Sequence, residues 1–272
     1  MTDVPSHRRW VHRIVARVSR GVGALRATPS SGLRVLLYHA VGSRVPHDQY
    51  GMSVTPRAFA EQMRWLREDS GYDITSLESG ADALTGRPTG GPQVAVTFDD
   101  GFMDVLTVAA PVLARYQIPF TAFVVGGYLE RPPASGLYLD PAALRDLAAA
   151  PHASIGAHGF THQPLTHFDH ESLGDELRRS RDAVRMCVGT DPLAIGYPYG
   201  AVNRDVIGGV EAAGFVIGAT SFIGMNRSGV HPLCLRRTEV LAADGLAEFS
   251  GRLRGDYDWY SLRQRLYQPP PH

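Results

Sequence analysis

From residue 33 onward, short apolar blocks alternate with longer stretches whose apolar residues recur every three or four positions. Leu33 to Tyr38, Val94 to Phe98, Phe120 to Val125 and Val216 to Ala219 are near-continuous apolar runs, the pattern of strands buried on both faces. Ala153 to Ala157 and Leu193 to Ile195 are shorter runs of the same kind. Between them lie stretches with helical spacing. One opens at Thr55-Pro56, with Thr as N-cap and Pro at the first helical position, and stops at Ser70-Gly71. It places Phe59, Met63, Trp65 and Leu66 on or near one face. Others span about 105 to 116 and about 172 to 188, the latter with Leu173, Leu177, Ser180, Val184 and Val188 on one stripe, and a further one ends near Ala213. Short buried strands alternating with helices predict an α/β fold with a parallel sheet or barrel.

Polar residues interrupt this pattern at telling places. His39, Asp99-Asp100, His158 and the Tyr197–Gly200 turn each follow directly on a predicted strand. In parallel α/β folds those strand ends share one face of the molecule, where sites assemble. Four polar clusters at four such ends are hard to explain by packing alone.

Composition narrows the chemistry. With 272 residues, 44% of them apolar and 20% charged, the chain can bury a large core, and 27 basic residues balance 27 acidic ones. Charge therefore gives no case for a nucleic-acid or acidic-polymer partner. Every basic residue is Arg, so Schiff-base and P-loop chemistry, which need Lys, are excluded. Cys187 and Cys234 read as two reduced thiols.

Residues 8–26 form a basic stretch in which Trp10, Ile14, Val18, Val22 and Leu25 recur at helical spacing among six arginines. Arginines interrupt it too often for a secretory signal or a spanning helix. It reads as an N-terminal extension, with peripheral membrane contact as the alternative. The expected location is cytoplasmic, at most peripheral on the inner membrane face.

Two motifs carry candidate chemistry. In Thr97-Phe98-Asp99-Asp100-Gly101, adjacent carboxylates at a strand end point in opposed directions and can take separate tasks, while Gly101 allows a sharp turn. In Gly156-Ala157-His158-Gly159-Phe160-Thr161-His162, two imidazoles four apart can converge on one ion. Two His and one Asp leave a position open for water, as catalytic rather than structural metals require.

Taken together, TFDDG, then IGAHGFTHQPLT about 60 residues later, then YPYG, resemble the polysaccharide deacetylases, carbohydrate esterase family four with its nodulation-type deacetylase domain. The resemblance covers roughly Val35 to Leu253. It implies a distorted (β/α) barrel of about seven strands in a single domain. It also implies a divalent metal, zinc first with cobalt or nickel as alternatives, held by Asp100, His158 and His162, with Asp99 as general base. Many members have Arg where this chain has Gly196, and many carry a late L-x-x-H motif that is missing here. Leu36-Leu37-Tyr38-His39 instead resembles the permuted branch that includes poly-N-acetylglucosamine deacetylases, which makes His39 the candidate acid. Leu235-Arg236-Arg237 resembles a late element of that branch, so Arg237 is the candidate to replace the lost charge near Asp99. Tyr199 is expected to offer its backbone N–H to the oxyanion.

The expected layout is an extension over 1–32, a catalytic domain over 33–253 and a tail over 254–272. The expected activity is removal of N-acetyl groups from N-acetylhexosamine units of a poly- or oligosaccharide or glycoconjugate. The alternatives are hydrolysis of another non-peptide C–N bond, in a cyclic amide or ureide, and a non-catalytic glycan-binding domain.

Overall fold

The computed structural model describes residues 31–45, 48, 50–86, 90–130, 136–261 and 264. The basic stretch over 8–26 lies outside them. Ten strands occur among the described residues: β1 (Gly32–Tyr38), β2 (Ala40–Val41), β3 (Ser53–Val54), β4 (Asp73–Ile74), β5 (Pro92–Phe98), β6 (Phe120–Val124), β7 (Ala153–Ala157), β8 (Ala194–Gly196), β9 (Ile217–Ala219) and β10 (Arg237–Glu239). The main sheet is wholly parallel in the order β10-β1-β5-β6-β7-β8-β9, with β4 added beside β5. Its two ends meet. Ala219 at the end of β9 bridges Leu235 just before β10, and Leu235 N–H donates to the Gly218 carbonyl at 2.8 Å. Seven strands thus come close to a closed barrel, as the resemblance implied.

Period-two alternation gives each strand two faces. Tyr38, Phe98 and Phe120 point outward onto the helix Pro56–Glu68, where Tyr38, Phe59 and Phe98 pack as an aromatic cluster with centroids 5.3 to 5.9 Å apart. Leu33, Val35, Ala95, Phe123, Ala219 and Leu235 form a second, smaller core on the opposite face, closed below by Leu77, Ala81 and Leu84. That face also carries Thr97, Asp99 and Arg237, so the apolar layer ends where the polar site begins.

The local signals behaved as physics demands. Thr55 Oγ1 accepts from Ala58 N–H, with Pro56 at the first helical position. The stretch expected as a helix over 105–116 starts as a π-turn, Val105–Ala109, and becomes α-helical only over Ala110–Arg115. Pro111 has no N–H to donate, which favours a shifted hydrogen-bond ladder just before it. The sequence patterns did not reveal β10 or the helices Leu77–Thr85, Gly126–Glu130, Pro141–Ala148 and Leu246–Arg254. All are short, and β10 reads Arg-Thr-Glu, with no apolar residue to signal a strand. Cys187 and Cys234 are free and partly buried.

Candidate active site

The strand register builds the site. β1 pairs with β5 so that Tyr38 faces Phe98, and Asp99 N–H donates to the Tyr38 carbonyl at 2.9 Å. His39 and Asp99 therefore leave adjacent strands at the same level. β6 and β7 pair so that Val124 faces Ala157, and His158 N–H donates to the Val124 carbonyl at 2.9 Å. His39, Asp99, Asp100, His158, His162 and Tyr199 lie at this end of the barrel, and Arg237, level with Val35 of β1, reaches it with its side chain.

Asp99 and Asp100 turn opposite ways because Asp100 adopts left-handed backbone, φ 71°, followed by Gly101 at φ 73°. A side chain on Gly101 would also press on Val124, 3.1 Å from its Cβ. Asp100 Oδ1 lies 3.3 Å from His158 Nε2 and 3.1 Å from His162 Nε2. These three residues offer ligand atoms that all lie within 4.8 Å of one another. His158 Nδ1 bonds the Gly196 carbonyl at 2.8 Å, so Nδ1 carries the proton and Nε2 keeps its lone pair for the site. Burial would raise the Asp100 carboxyl, but the close approach of the His158 and His162 imidazoles, with the nearby charge of His39, holds it well below the ordinary carboxylate range. The donor set suits a divalent first-row cation with an open position.

Asp99 goes inward. Arg237 forks it, Nη1 to Oδ1 and Nη2 to Oδ2 both at 2.7 Å, and both side chains are almost fully buried. Arg237 is itself fixed, its Nε donating to the Thr220 carbonyl at 2.8 Å and its guanidinium lying 5.4 Å from the Phe123 ring centre. Burial pushes the Asp99 carboxyl up, but the charge of Arg237 and then of His158, with the Arg237 hydrogen bonds, leave it below its ordinary value. Asp99 Oδ2 reaches within 3.8 Å of His158 Nε2, so this carboxylate also borders the cation cluster.

The backbone at Gly196 is closely packed, and the guanidinium beside Asp99 arrives from β10. A Cβ on Gly196 would sit 3.0 Å from His158 Nδ1 and 3.0 Å from Phe123, so a side chain there would require both rings to give way. His39 is mostly buried, with Nδ1 3.8 Å from Glu239 Oε1 and without a hydrogen bond. β10 thus presents Arg237 toward Asp99 and Glu239 toward His39, two residues apart on one face. Tyr199 is exposed and takes φ 59° in the turn after β8, and its ring lies 5.1 Å from that of His162. Asp100, His162 and Tyr199 account for three of the five non-glycine positive φ values among the described residues. Such backbone persists where the surrounding structure holds it, and it gathers at functional sites.

Sequence reasoning missed the supports. Asp104, buried on the turn after Gly101, accepts from the N–H groups of Val41 and Ser43, each at 2.8 Å, and so holds the loop that follows His39. Glu176, on the helix His170–Val188, does the same for the loop between His158 and His162. Neither carries a motif. The only trace of Glu176 in the sequence is an acid beside the apolar stripe of an amphipathic helix.

Comparison with known proteins bears on the family and the fold. Residues 86–218 match the family model described as polysaccharide deacetylase. YxkH of Bacillus subtilis (strain 168) is 24% identical over 209 residues, 76% of this chain and 71% of YxkH. The poly-β-1,6-N-acetyl-D-glucosamine N-deacetylase of Escherichia coli (strain K12) is 34% identical over 105 residues, 38% of this chain, which spans only 15% of that protein. Among solved structures, the Streptococcus pyogenes deacetylase PplD superposes with a TM-score of 0.73 over 82% of this chain and 99% of PplD, at 23% identity.

Proposed function

We propose that this chain, which belongs to the polysaccharide deacetylase family, is a metal-dependent hydrolase that removes N-acetyl groups from N-acetylhexosamine units of a glycan. The observation that carries the reading is a buried, arginine-locked Asp99 bordering a His-His-Asp cluster. A general base and an open-sided metal cradle are thereby on the same side of one site. The match to an enzyme named for poly-N-acetylglucosamine supports the substrate class.

Asp100, His158 and His162 would hold the cation, zinc first by its preference for this donor set, with cobalt or nickel as alternatives. A bound divalent ion supplies Lewis acidity toward the acetyl carbonyl and lowers the pKa of an attacking water. Arg237 keeps Asp99 ionised and fixes both of its oxygens, leaving the lone pairs not engaged by the guanidinium to accept the water proton. His39, across the site just after β1, donates a proton to the amine as it leaves, which an amide nitrogen needs because it departs poorly unprotonated. The backbone N–H of Tyr199, set by its left-handed turn, is assigned to the developing oxyanion.

The test is acetate release from N-acetylglucosamine oligomers by the zinc-loaded protein, beside Asp99→Asn and a chelated control. Release lost in both controls is the expected result. Stoichiometric zinc without acetate release overturns the substrate class and turns attention to cyclic amides. Glycan affinity kept in every sample with no release in any would mark a binding domain.

A further inference from the structure

The backbone between the two metal-binding histidines is pinned on every side. His158 N–H goes to Val124, while the Gly159 and Phe160 carbonyls accept from the N–H groups of Gly126 and Gly127 at 3.0 and 2.8 Å. A Cβ on Gly127 would meet the Phe160 oxygen at 2.6 Å, so only glycine admits that approach. The N–H groups of Phe160 and Thr161 have no backbone partner. Glu176 Oε1 takes both at 2.8 Å and the Thr161 hydroxyl at 3.0 Å. Glu176 is 4% exposed, and its carboxylate reaches the loop from a helix that begins eight residues after His162. One turn along that helix, Arg179 lays its guanidinium 3.7 Å from the centre of the Phe160 ring.

We propose that Glu176 is a positioning residue for the metal centre: by holding the two peptide N–H groups between His158 and His162, it sets the span between the two imidazoles. This rests on the reading of the site as a metal-dependent centre. Both imidazoles must meet the same Asp100 oxygen within 3.1 to 3.3 Å, and His162 does so from φ 59°, a conformation its own side chain disfavours. Without the carboxylate, two partly buried donors are orphaned and that strained residue relaxes. The consequence falls on cation affinity as well as on stability.

The experiment measures zinc affinity of the full apo chain by competition with a chromophoric chelator, with far-UV circular dichroism and a melting curve to establish that each variant is folded. Glu176→Ala is expected to weaken zinc binding by ~10–100-fold, the usual cost of losing support behind metal ligands. Glu176→Gln, whose amide oxygen keeps the three donors, is expected to restore most of that affinity. Glu176→Asp keeps the charge but withdraws the oxygen by one methylene, and it carries the same test should the Ala variant not fold. A folded Ala or Asp variant that binds zinc as tightly as the wild type overturns the proposal. A wild type that binds no zinc would instead overturn the reading of the site itself.

Discussion

The site as proposed has two halves built by different means. The cation half, Asp100, His158 and His162, sits in two short motifs just after β5 and β7, and local turns hold it: left-handed residues, flanking glycines and the N–H groups of neighbouring loops. The proton-transfer half, Asp99, His39 and Arg237, comes from three strands, and the Asp99–Arg237 pair joins residues 138 apart in sequence. It exists only because β10 docks on β1 and the barrel nearly closes. The first half depends on local backbone geometry, the second on global topology. Their failures should therefore look different.

The largest effect belongs to the cation half. His158→Ala removes a ligand and the proton-fixing bond to Gly196, so zinc binding and acetate release should vanish together, as read by metal analysis and a coupled acetate assay. Next come Asp99→Asn and His39→Ala. Each is expected to slow turnover by ~10²–10⁴-fold while zinc stays bound. Turnover must be counted per folded molecule, since Asp99→Asn also strips Arg237 of its counter-charge. Loss of zinc in either variant would dissolve the division into halves.

Arg237→Leu tests the topological side. It leaves Asp99 buried without its partner, which should cost about 3–5 kcal/mol of stability, visible as a lower denaturation midpoint, with zinc affinity of the folded fraction largely kept. Acid exposes the same pair more gently. The folded Asp99 value lies below the ordinary 3.8, so its stabilising contribution is present above 3.8 and is lost as pH falls from there toward the folded value. Melting temperature of the apo protein should hold through mildly acidic pH and drop below ~4, and that drop should shrink in Arg237→Leu, where burial alone pushes Asp99 upward. The smallest effect is expected at Tyr199. Tyr199→Phe keeps the backbone N–H assigned to the oxyanion, so its turnover should stay close to the wild type; a large loss would assign the work to the hydroxyl.

By resemblance the sequence implied a barrel of about seven strands with Asp100 among the ligands; by pattern it placed the α/β fold, six of the seven barrel strands and a cluster of two His and one Asp. These depend on short-range facts: apolar runs of strand length, a Thr-Pro helix start, and Asp, His and Gly at strand ends. It also proposed Arg237 for the charge missing at Gly196, though by resemblance rather than by geometry. Only the folded structure decided that Arg237 grips both oxygens of Asp99, that a side chain at Gly196 would crowd His158, and that Asp104 and Glu176 hold the two histidine-bearing loops. The reason is physical. Periodicity and turn chemistry are written within a dozen residues, whereas a three-residue strand such as Arg237–Glu239 has too few apolar side chains to declare itself. Its place, and the partners its charges find, follow only once the barrel brings residues more than a hundred positions apart into one site.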